Sequence, residues 1–279
     1  MPTSGSDFDG TTNRMKHVDI HELLIHEDDD LIIVNKPAGL SSIDERDQTQ
    51  PSLLRLLKEY SDGVRLCHRI DRETSGVIVA AKHFPAYRHL AEQFRKREVT
   101  KIYHAVVWGR PSFQEESIDL PLRTISVKYA PGDDEGDRVA SFRSVVDSTR
   151  RGRPSQTIVT TIAVSRHTSL VACRPVTGRM HQIRAHLSKS GHPLVGDPLY
   201  RGKFLLLSSL KRGYRPGGEE ERPVISRCAL HARSITFSLF GVERSFEAPY
   251  PRDFATLLKV LTKYDELKPI VNSREEPLA

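Results

Sequence analysis

One stretch of the chain places an acid among basic residues at the start of an apolar run. Residues 68–82 read HRIDRETSGVIVAAK, in which Asp71 stands between Arg69 and Arg72. Nearby positive charge favours the carboxylate over the protonated acid, so we expect Asp71 to stay ionised. An ionised aspartate suits a nucleophile or an electrostatic stabiliser better than a proton donor. An ordinary Asp–Arg ion pair at a strand entrance is the alternative, and the tetrapeptide alone favours that alternative.

Three other chemistries lack the residues that they need. A glycosidase uses a second carboxylate as general acid, and although Glu73 is nearby, residues 148–196 contribute no acid. A serine hydrolase would have to use Ser75, which does not lie in a GxSxG elbow. His181 and His186 are five residues apart, on different sides of a helix, so no metal site is expected.

The basic residues are concentrated in one part of the chain. The 42 Lys+Arg and 36 Asp+Glu give a net charge of +6, while residues 148–196 combine arginines and four histidines with no acid. Such a segment attracts a polyanion, and we expect its cations, Arg179 among them, to contact phosphates. An acid that acts on a polyanion without metal or cofactor indicates chemistry at a base or sugar, because phosphoryl transfer commonly uses cations. The ribose C1′ is then the natural electrophile.

Cysteine content and hydropathy limit where the protein works. The chain has three cysteines and no CxxC pair, which indicates a reducing compartment. Its first twenty residues lack an apolar leader, and no apolar run approaches the roughly 18 residues of a membrane span. We expect a cytoplasmic monomer without contact to a membrane.

The elements that must position Asp71 and Tyr103 follow from hydrophobic periodicity. Apolar or β-branched runs predict strands at 31–36, 77–82 and 101–109 and hairpins at 157–175 and around Gly241. Spacing of i, i+3, i+4 and i+7 predicts a helix over 86–97, and a second helix begins near Met180 and ends at Gly191. Strands joined by hairpins and interrupted by few helices predict an α+β fold with a mixed, mostly antiparallel central β-sheet and flanking helices.

Five blocks of the sequence together carry a resemblance to a known family. They are LIIVNKPAGL, HRIDRETSG, KIYHAV, TGRMHQIRAHL and GHPLVGDPLYRG, and the resemblance extends from about residue 22 to 252. In this order they resemble the RluA-type pseudouridine synthases. The resemblance implies the pseudouridine synthase fold with a catalytic cleft across the sheet. It also implies a cofactor-free isomerisation of specific uridines in rRNA or tRNA, in which the N1 glycosidic bond is cleaved and C5 joins C1′.

The resemblance assigns roles to individual residues. Asp71 would be the catalytic aspartate, whose covalent partner, C1′ or uracil C6, stays open. Arg184 would pair with Asp71 and hold it ionised, and Tyr103 would lie against the uracil and could help to remove the C5 proton. Arg69 would fill the space left by the flipped uridine. Asp197 and Tyr200 would brace the pocket, and the other side chains assigned to RNA are Lys36, Arg72, Arg179 and His181, with a turn-forming role as the favoured alternative for Lys36.

The same resemblance implies a domain organisation. Residues 18–265 would form one catalytic domain with two halves around one cleft. The small, polar and aperiodic composition of residues 1–17 predicts a disordered N-terminal tail, and residues 266–279 are expected to form a C-terminal tail. Residues 131–156 and 211–223 are expected to be charged loops. Two alternative functions stay open at this point: a non-catalytic RNA-binding or ribosome-associated protein of the same fold, and an N-glycosidase that releases a base.

Overall fold

The computed structural model describes residues 18–44, 51–127, 141–217 and 220–270. The helices are α1 Ile20–Leu23, α2 Leu53–Tyr60, α3 Phe84–Lys96, α4 Gln182–Lys189 and α5 Arg252–Tyr264. The strands are β1 Leu24–Glu27, β2 Leu31–Lys36, β3 Arg65–Leu66, β4 Ser75–Ala81, β5 Thr100–Trp108, β6 Glu115–Asp119, β7 Leu122–Val127, β8 Ser141–Val146, β9 Gln156–Val164, β10 Thr168–Pro175, β11 Leu230–Leu239, β12 Val242–Glu247 and β13 Lys268–Pro269. Within these ranges no helix combines the length and the apolar character that crossing a membrane requires.

One large sheet organises the molecule in the order β1-β2-β4-β11-β5-β10-β9-β13. Strands β3, β6 and β12 pair with β4, β9 and β11, and β7 and β8 form a separate hairpin. Among the described strands, β4 and β11 run parallel and the other pairs run antiparallel. The predicted α+β fold with a mostly antiparallel sheet is confirmed.

Burial patterns explain why these residues form strands in the interior. Leu31, Ile32, Ile33 and Val34 of β2 are fully buried, and all of β4 is buried as well. Strands covered on both faces have continuous apolar sequences, which distinguishes them from the alternating pattern of β9. Helix α3 covers this half of the sheet through buried Leu90.

The two halves of the sheet meet at a very close backbone contact. The beginning of β11 pairs with β4 only at His231–Ser75 and Ala232–Gly76, whereas its end pairs with β12. Gly76 has a φ of 120°, and a Cβ on it would lie 2.2 Å from the carbonyl oxygen of Ala232. On its other edge Ala232 pairs with Tyr103 of β5. Strand β11 therefore lies between the strand that follows Asp71 and the strand that carries Tyr103, and joins the two.

The predicted strands, hairpins and helices are found with ends shifted by a few residues, and Gly191 follows α4 with a φ of 88°. Helices α2 and α5 had no sequence prediction. Strand β8 lies within 131–156, which was expected to be a loop, while residues 131–140 are outside the described part.

The remaining expected loops and tails are described only in part. No strand or helix occurs in the described residues of 211–223. The predicted tail at 1–17 and residues 271–279 lie outside the described residues. Strand β13 pairs with β9 beyond the boundary expected at residue 265, so the sheet continues into the predicted C-terminal tail.

Candidate active site

A cleft of 480 Å³ opens between the 67–74 loop, which joins β3 to β4, strand β5 and residues 175–184. It brings together six of the residues singled out from the sequence: Arg69, Asp71, Tyr103, Arg179, His181 and Arg184. Arg95, Arg97 and Lys101 add further positive charge to its walls. Among the described lining residues Asp71 is the only acid. An acid surrounded by cations in a cleft suits a polyanionic substrate that carries its reacting atoms to that acid.

The 67–74 loop is held by backbone and hydroxyl contacts that fix the place of Asp71. The Thr74 amide donates to the Asp71 carbonyl oxygen at 3.0 Å. The Ser42 hydroxyl donates to the Ile70 carbonyl at 2.7 Å and accepts from the Ile70 amide at 3.2 Å. The Asp71 side chain itself keeps 27% of its surface exposed, towards the cleft.

Lys36 and Arg72 belong to the support of this loop. Lys36 is fully buried, and its Nζ donates to the carbonyl oxygens of Pro37, Leu40 and Arg72 at 2.8, 2.7 and 3.1 Å. Burial lowers the pKa of Lys36 to about 7. The predicted RNA contact of Lys36 is therefore wrong, because an ammonium with no exposed surface and three carbonyl partners cannot reach a phosphate. Arg72 is exposed, donates through Nε to the Gly39 carbonyl at 3.0 Å and lies outside the cleft lining, so its RNA contact stays a prediction.

Arg184 has a different ionic partner from the one predicted. Its Nε and a terminal nitrogen donate to the two carboxylate oxygens of Asp197 at 2.7 and 2.8 Å. Burial lowers the pKa of Arg184, but the hydrogen bond to Asp197, together with the nearby negative charges of Asp197 and Asp71, raises the pKa above its ordinary value. The predicted direct pair with Asp71 is thus replaced, because Asp197 offers the planar guanidinium both oxygens at once. Tyr200 covers the guanidinium with its ring at 4.9 Å, which agrees with the bracing role expected for Asp197 and Tyr200.

Tyr103 sits at the centre of the sheet, between the two halves of the core. It pairs with Cys173 of β10 and Ala232 of β11 and packs against both of the adjoining apolar clusters. Burial raises the pKa of Tyr103, and the negative charge of Asp71 raises it further. The phenol is therefore neutral at physiological pH. To help remove the C5 proton, as predicted, the Tyr103 hydroxyl would first have to lose its own proton. That role of Tyr103 stays a prediction.

The two remaining predicted residues line opposite sides of the cleft. Arg69 is exposed, and within the described residues no hydrogen bond or ion pair restrains its guanidinium. Arg179 is held loosely, with two nitrogens 3.4 Å from the Pro154 carbonyl. Both are placed to meet a ligand entering the cleft. In the described ranges, no group of three or more His, Cys, Asp or Glu side chains forms a metal site.

Comparison with known proteins identifies the family. The model of the RNA pseudouridylate synthase family matches residues 30–189. The chain belongs to this family. It is 34% identical over 232 residues to the dual-specificity RNA pseudouridine synthase RluA of Escherichia coli K12, covering 81% of this chain and 92% of that protein. It is also 32% identical over 259 residues to the ribosomal large subunit pseudouridine synthase D of Zymomonas mobilis, covering 87% of this chain and 74% of that protein.

A solved structure supports the same conclusion. Human RNA pseudouridylate synthase domain containing 4 superimposes with a TM-score of 0.66 at 26% identity, covering 89% of this chain and 95% of that chain. The protein is therefore an RluA-type RNA pseudouridine synthase, an isomerase. The matches support this function over a non-catalytic RNA-binding protein of the same fold.

Several residues that build the synthase site were not found from the sequence. Arg227 is nearly buried, and its Nε donates to the Asp253 carboxylate at 2.7 Å. Its two terminal nitrogens donate to the Glu73 carbonyl oxygen and the Ser75 hydroxyl, each at 3.2 Å. The Ser75 hydroxyl also contacts His231 Nδ1 at 2.9 Å. These bonds fix the end of the 67–74 loop and make Ser75 a structural residue. No local motif signals Arg227, because its partners are distant in sequence.

His68 forms part of the cleft wall of the synthase and was likewise missed as a functional candidate. Its Nε2 accepts a hydrogen bond from the Val79 amide at 3.1 Å, and its ring stacks on Phe94 with centroids 5.1 Å apart. Burial lowers the pKa of His68 to about 3, and the charge of Lys101 contributes in the same direction. His68 is therefore a neutral hydrogen-bond acceptor.

This neutral histidine predicts acid sensitivity of the fold. Below its unfolded pKa of 6.5, the unfolded chain binds a proton that the folded His68 excludes, so stability falls as the pH falls towards 3. We expect the free energy of unfolding to drop by about 2 kcal/mol between pH 6.5 and 4.5 through this group. Urea titrations of wild type and His68→Gln measure it, since glutamine can accept the Val79 bond without titrating. Equal losses in the two proteins would contradict the assignment.

Thr74 carries a hydroxyl without a partner in the cleft wall. It is 2% exposed, and its Oγ1 has no hydrogen-bond partner among the described residues. Because an unpaired buried hydroxyl destabilises a fold by about 1–3 kcal/mol, Thr74→Val should raise the free energy of unfolding by about 1 kcal/mol. Thermal unfolding measures the change. Thr74→Ser, which retains the hydroxyl, is the control and should show no gain; a lower melting temperature for the valine variant would mean that the hydroxyl has a partner.

Proposed function

We propose that this synthase converts specific uridines of ribosomal or transfer RNA to pseudouridine, with the target base flipped into the cleft and Asp71 as the catalytic aspartate. The observation that supports it most is that Asp71 and Tyr103 face one cleft whose other charged lining residues, within the described chain, are cations. We propose further that the protein acts as a cytoplasmic monomer and needs no cofactor. The names of two relatives motivate the choice of RNA, one acting on the ribosomal large subunit and one having dual specificity.

RNA binding in this proposal depends on the cations around Asp71. Arg69, Arg97, Lys101 and Arg179 line the cleft and contact phosphates, which positions the RNA without reading its sequence. Flipping a nucleotide out of its stack costs a few kcal/mol. Stacking of the uracil on Tyr103, at about 1–3 kcal/mol, and insertion of Arg69 into the vacated space offset that cost. Binding should weaken steeply with salt because counterions are released from the phosphates.

The chemistry is an internal rearrangement that conserves all atoms. The bond between N1 and C1′ breaks, the enclosed uracil turns, and a bond forms between C5 and C1′. The proton leaves C5 and N1 ends with a proton, so no water or redox partner is consumed. Asp71 supplies a carboxylate that attacks C1′ or uracil C6, and both routes remain open. The Arg184–Asp197 pair keeps the wall of the pocket in place while the uracil turns.

The stacking role of Tyr103 leads to a specific expected result. Tyr103→Ala removes the ring on which the uracil lies, and kcat/KM should fall by about 5- to 150-fold, equivalent to about 1–3 kcal/mol. Tyr103→Phe keeps the ring and should retain more activity than the alanine variant. The difference between Tyr103→Phe and wild type then measures the hydroxyl alone. Activity of the alanine variant equal to that of the phenylalanine variant would remove the stacking role.

Product analysis tests the proposed function directly. The synthase is incubated with uridine-containing transcripts of ribosomal and transfer RNA, and pseudouridine is mapped by chemical adduct formation and primer extension. We expect primer-extension stops at discrete uridines with wild type and none with Asp71→Asn. Release of free uracil would indicate an N-glycosidase, and tight binding with unchanged RNA would indicate a non-catalytic binder.

A further inference from the structure

His181 occupies an unusual position between the brace of the pocket and Asp71. It immediately precedes α4 and has φ 50° and ψ 24°, a left-handed conformation that non-glycine residues seldom adopt. Its Nδ1 lies 3.1 Å from the Tyr200 hydroxyl, and its Nε2 lies 4.0 Å from an oxygen of Asp71. The ring therefore spans from Tyr200 to the acid in the cleft.

The position of the ring proton follows from the partners of Tyr200. The Ser144 amide of β8 donates to the Tyr200 oxygen at 2.8 Å. Within the described residues, the acceptor available to the Tyr200 hydroxyl proton is Nδ1 of His181. Burial lowers the pKa of His181, so the ring is neutral and carries one proton. With Nδ1 accepting the Tyr200 hydroxyl proton, the single ring proton is on Nε2, which points towards Asp71.

The backbone of His181 is fixed by the same strand. The Ser144 hydroxyl donates to the carbonyl oxygen of Met180 at 2.5 Å, immediately before His181. Ser144 is 2% exposed, so both of its bonds are shielded from water. A strained backbone at a functional site persists only where surrounding contacts over-determine it. Two bonds from one buried serine hold the strained residue and orient its ring.

We propose that His181 is a positioning residue for Asp71: its Nε2–H, oriented by the Tyr200 hydroxyl, directs the carboxylate towards the flipped nucleotide. This inference rests on the proposed catalytic role of Asp71. It reassigns His181 from RNA binding to the orientation of the acid. The gap of 4.0 Å closes to a hydrogen bond with a shift of about 1 Å, a change typical of catalytic contacts that tighten on substrate binding.

Two substitutions at His181 separate positioning from structure. Glutamine places its amide nitrogen near the site of Nε2 and can still donate to Asp71. Asparagine reaches only the position of Nδ1, but tolerates the left-handed backbone better than most residues. If His181 has only a structural role, His181→Asn should therefore retain more activity than His181→Gln. If His181 positions Asp71, His181→Gln should retain more.

The experiment measures the single-turnover rate of pseudouridine formation with saturating protein, together with the dissociation constant for the same RNA. For His181→Asn we expect a rate at least tenfold below wild type with an RNA dissociation constant within threefold. His181→Gln should keep a rate within threefold of wild type. A wild-type rate for His181→Asn overturns the inference, as does a rate loss in His181→Gln equal to that in His181→Asn. A rise in dissociation constant that accounts for the rate loss would return His181 to RNA binding.

A spectroscopic measurement that does not depend on turnover tests whether the Tyr200 hydroxyl orients the His181 ring. In protein labelled with ¹⁵N-histidine, the His181 signals, assigned by their loss in His181→Gln, should show a protonated Nε2 in wild type. Tyr200→Phe keeps the ring over Arg184 but removes the hydroxyl, and should shift the proton distribution between the two ring nitrogens. A Tyr200→Phe spectrum identical to that of wild type would overturn the proposed orientation of His181 by Tyr200. Wild type and Asp71→Asn are run in every assay, so an inactive wild type would count against the proposed function rather than against His181.

Discussion

Asp71→Asn will abolish the conversion of uridine to pseudouridine while leaving RNA binding nearly intact. Asparagine has almost the same shape but lacks the charge and the nucleophilic oxygen, so the turnover rate should fall by at least about 10³-fold. The RNA dissociation constant should stay within a few-fold, since the cations of the cleft remain. Because the substitution removes the only acid among the described lining residues, any change in affinity should be towards tighter binding. Single-turnover kinetics and filter binding on one transcript measure the two quantities.

The matched control for this substitution is two residues further along the chain. Glu73 is exposed and does not line the cleft, so Glu73→Gln removes the same charge from the same loop without touching the site. We expect its rate to stay within about twofold of wild type, since surface substitutions rarely perturb a distant centre. Comparable losses in the two variants would mean that the charge of the loop matters rather than the oxygen of Asp71.

Gly76→Ala should strongly destabilise the fold, because Gly76 lies in very close contact with the backbone of β11. The added Cβ would lie 2.2 Å from the Ala232 carbonyl oxygen and 2.6 Å from the Ala232 nitrogen, both backbone atoms that cannot move aside. Relief requires separation of β4 from β11, where only two residue pairs join them. We expect a decrease in the free energy of unfolding of at least about 3 kcal/mol, measured by urea denaturation.

Gly241→Ala is the control that distinguishes the steric clash expected at Gly76 from the strain of a positive φ. Gly241 has a φ of 84° in the hairpin between β11 and β12, and a Cβ there would meet nothing within 4 Å. Its substitution should cost only about 1 kcal/mol, the penalty of a left-handed conformation for a side chain. If the two alanine variants are equally stable, close approach at Gly76 is not what requires glycine. Activity should fall with Gly76→Ala in proportion to the fraction that fails to fold.

Some residues of the candidate site can be identified from the sequence, and others cannot. Asp71 and Tyr103 were recognisable because both lie in short blocks whose order along the chain is diagnostic, and the structure brings both to one cleft. The partner of Arg184 was not recognisable. Asp197 lies thirteen residues further on, and only the turn at Pro198–Tyr200 places its carboxylate beside the guanidinium. The family resemblance had assigned Asp71 as the partner instead.

The burial of Lys36 could not be predicted from the sequence either. A lysine next to Pro37 in a turn has the composition of a surface residue, and its apolar predecessors in β2 indicate burial only for themselves. Three carbonyl groups, one of them from Arg72, converge on its Nζ only after the 67–74 loop has folded against the turn. Arg227 and Ser42 were missed for the same reason, since both bind atoms of segments that are distant in the sequence.

The sequence by itself determined the class of fold, the strands of the core and the family, and it pointed to an acid and an aromatic residue that line one cleft. It could do so because hydrophobic periodicity and short blocks of chemically specific residues are local properties of a chain. The tertiary structure alone decided that Arg184 binds Asp197, that Lys36 is internal, and that His181 faces Asp71. Those outcomes depend on which charged and polar atoms lie within about 3–4 Å after packing, and hydrogen-bond and ionic energies fall too steeply with distance for sequence spacing to encode them.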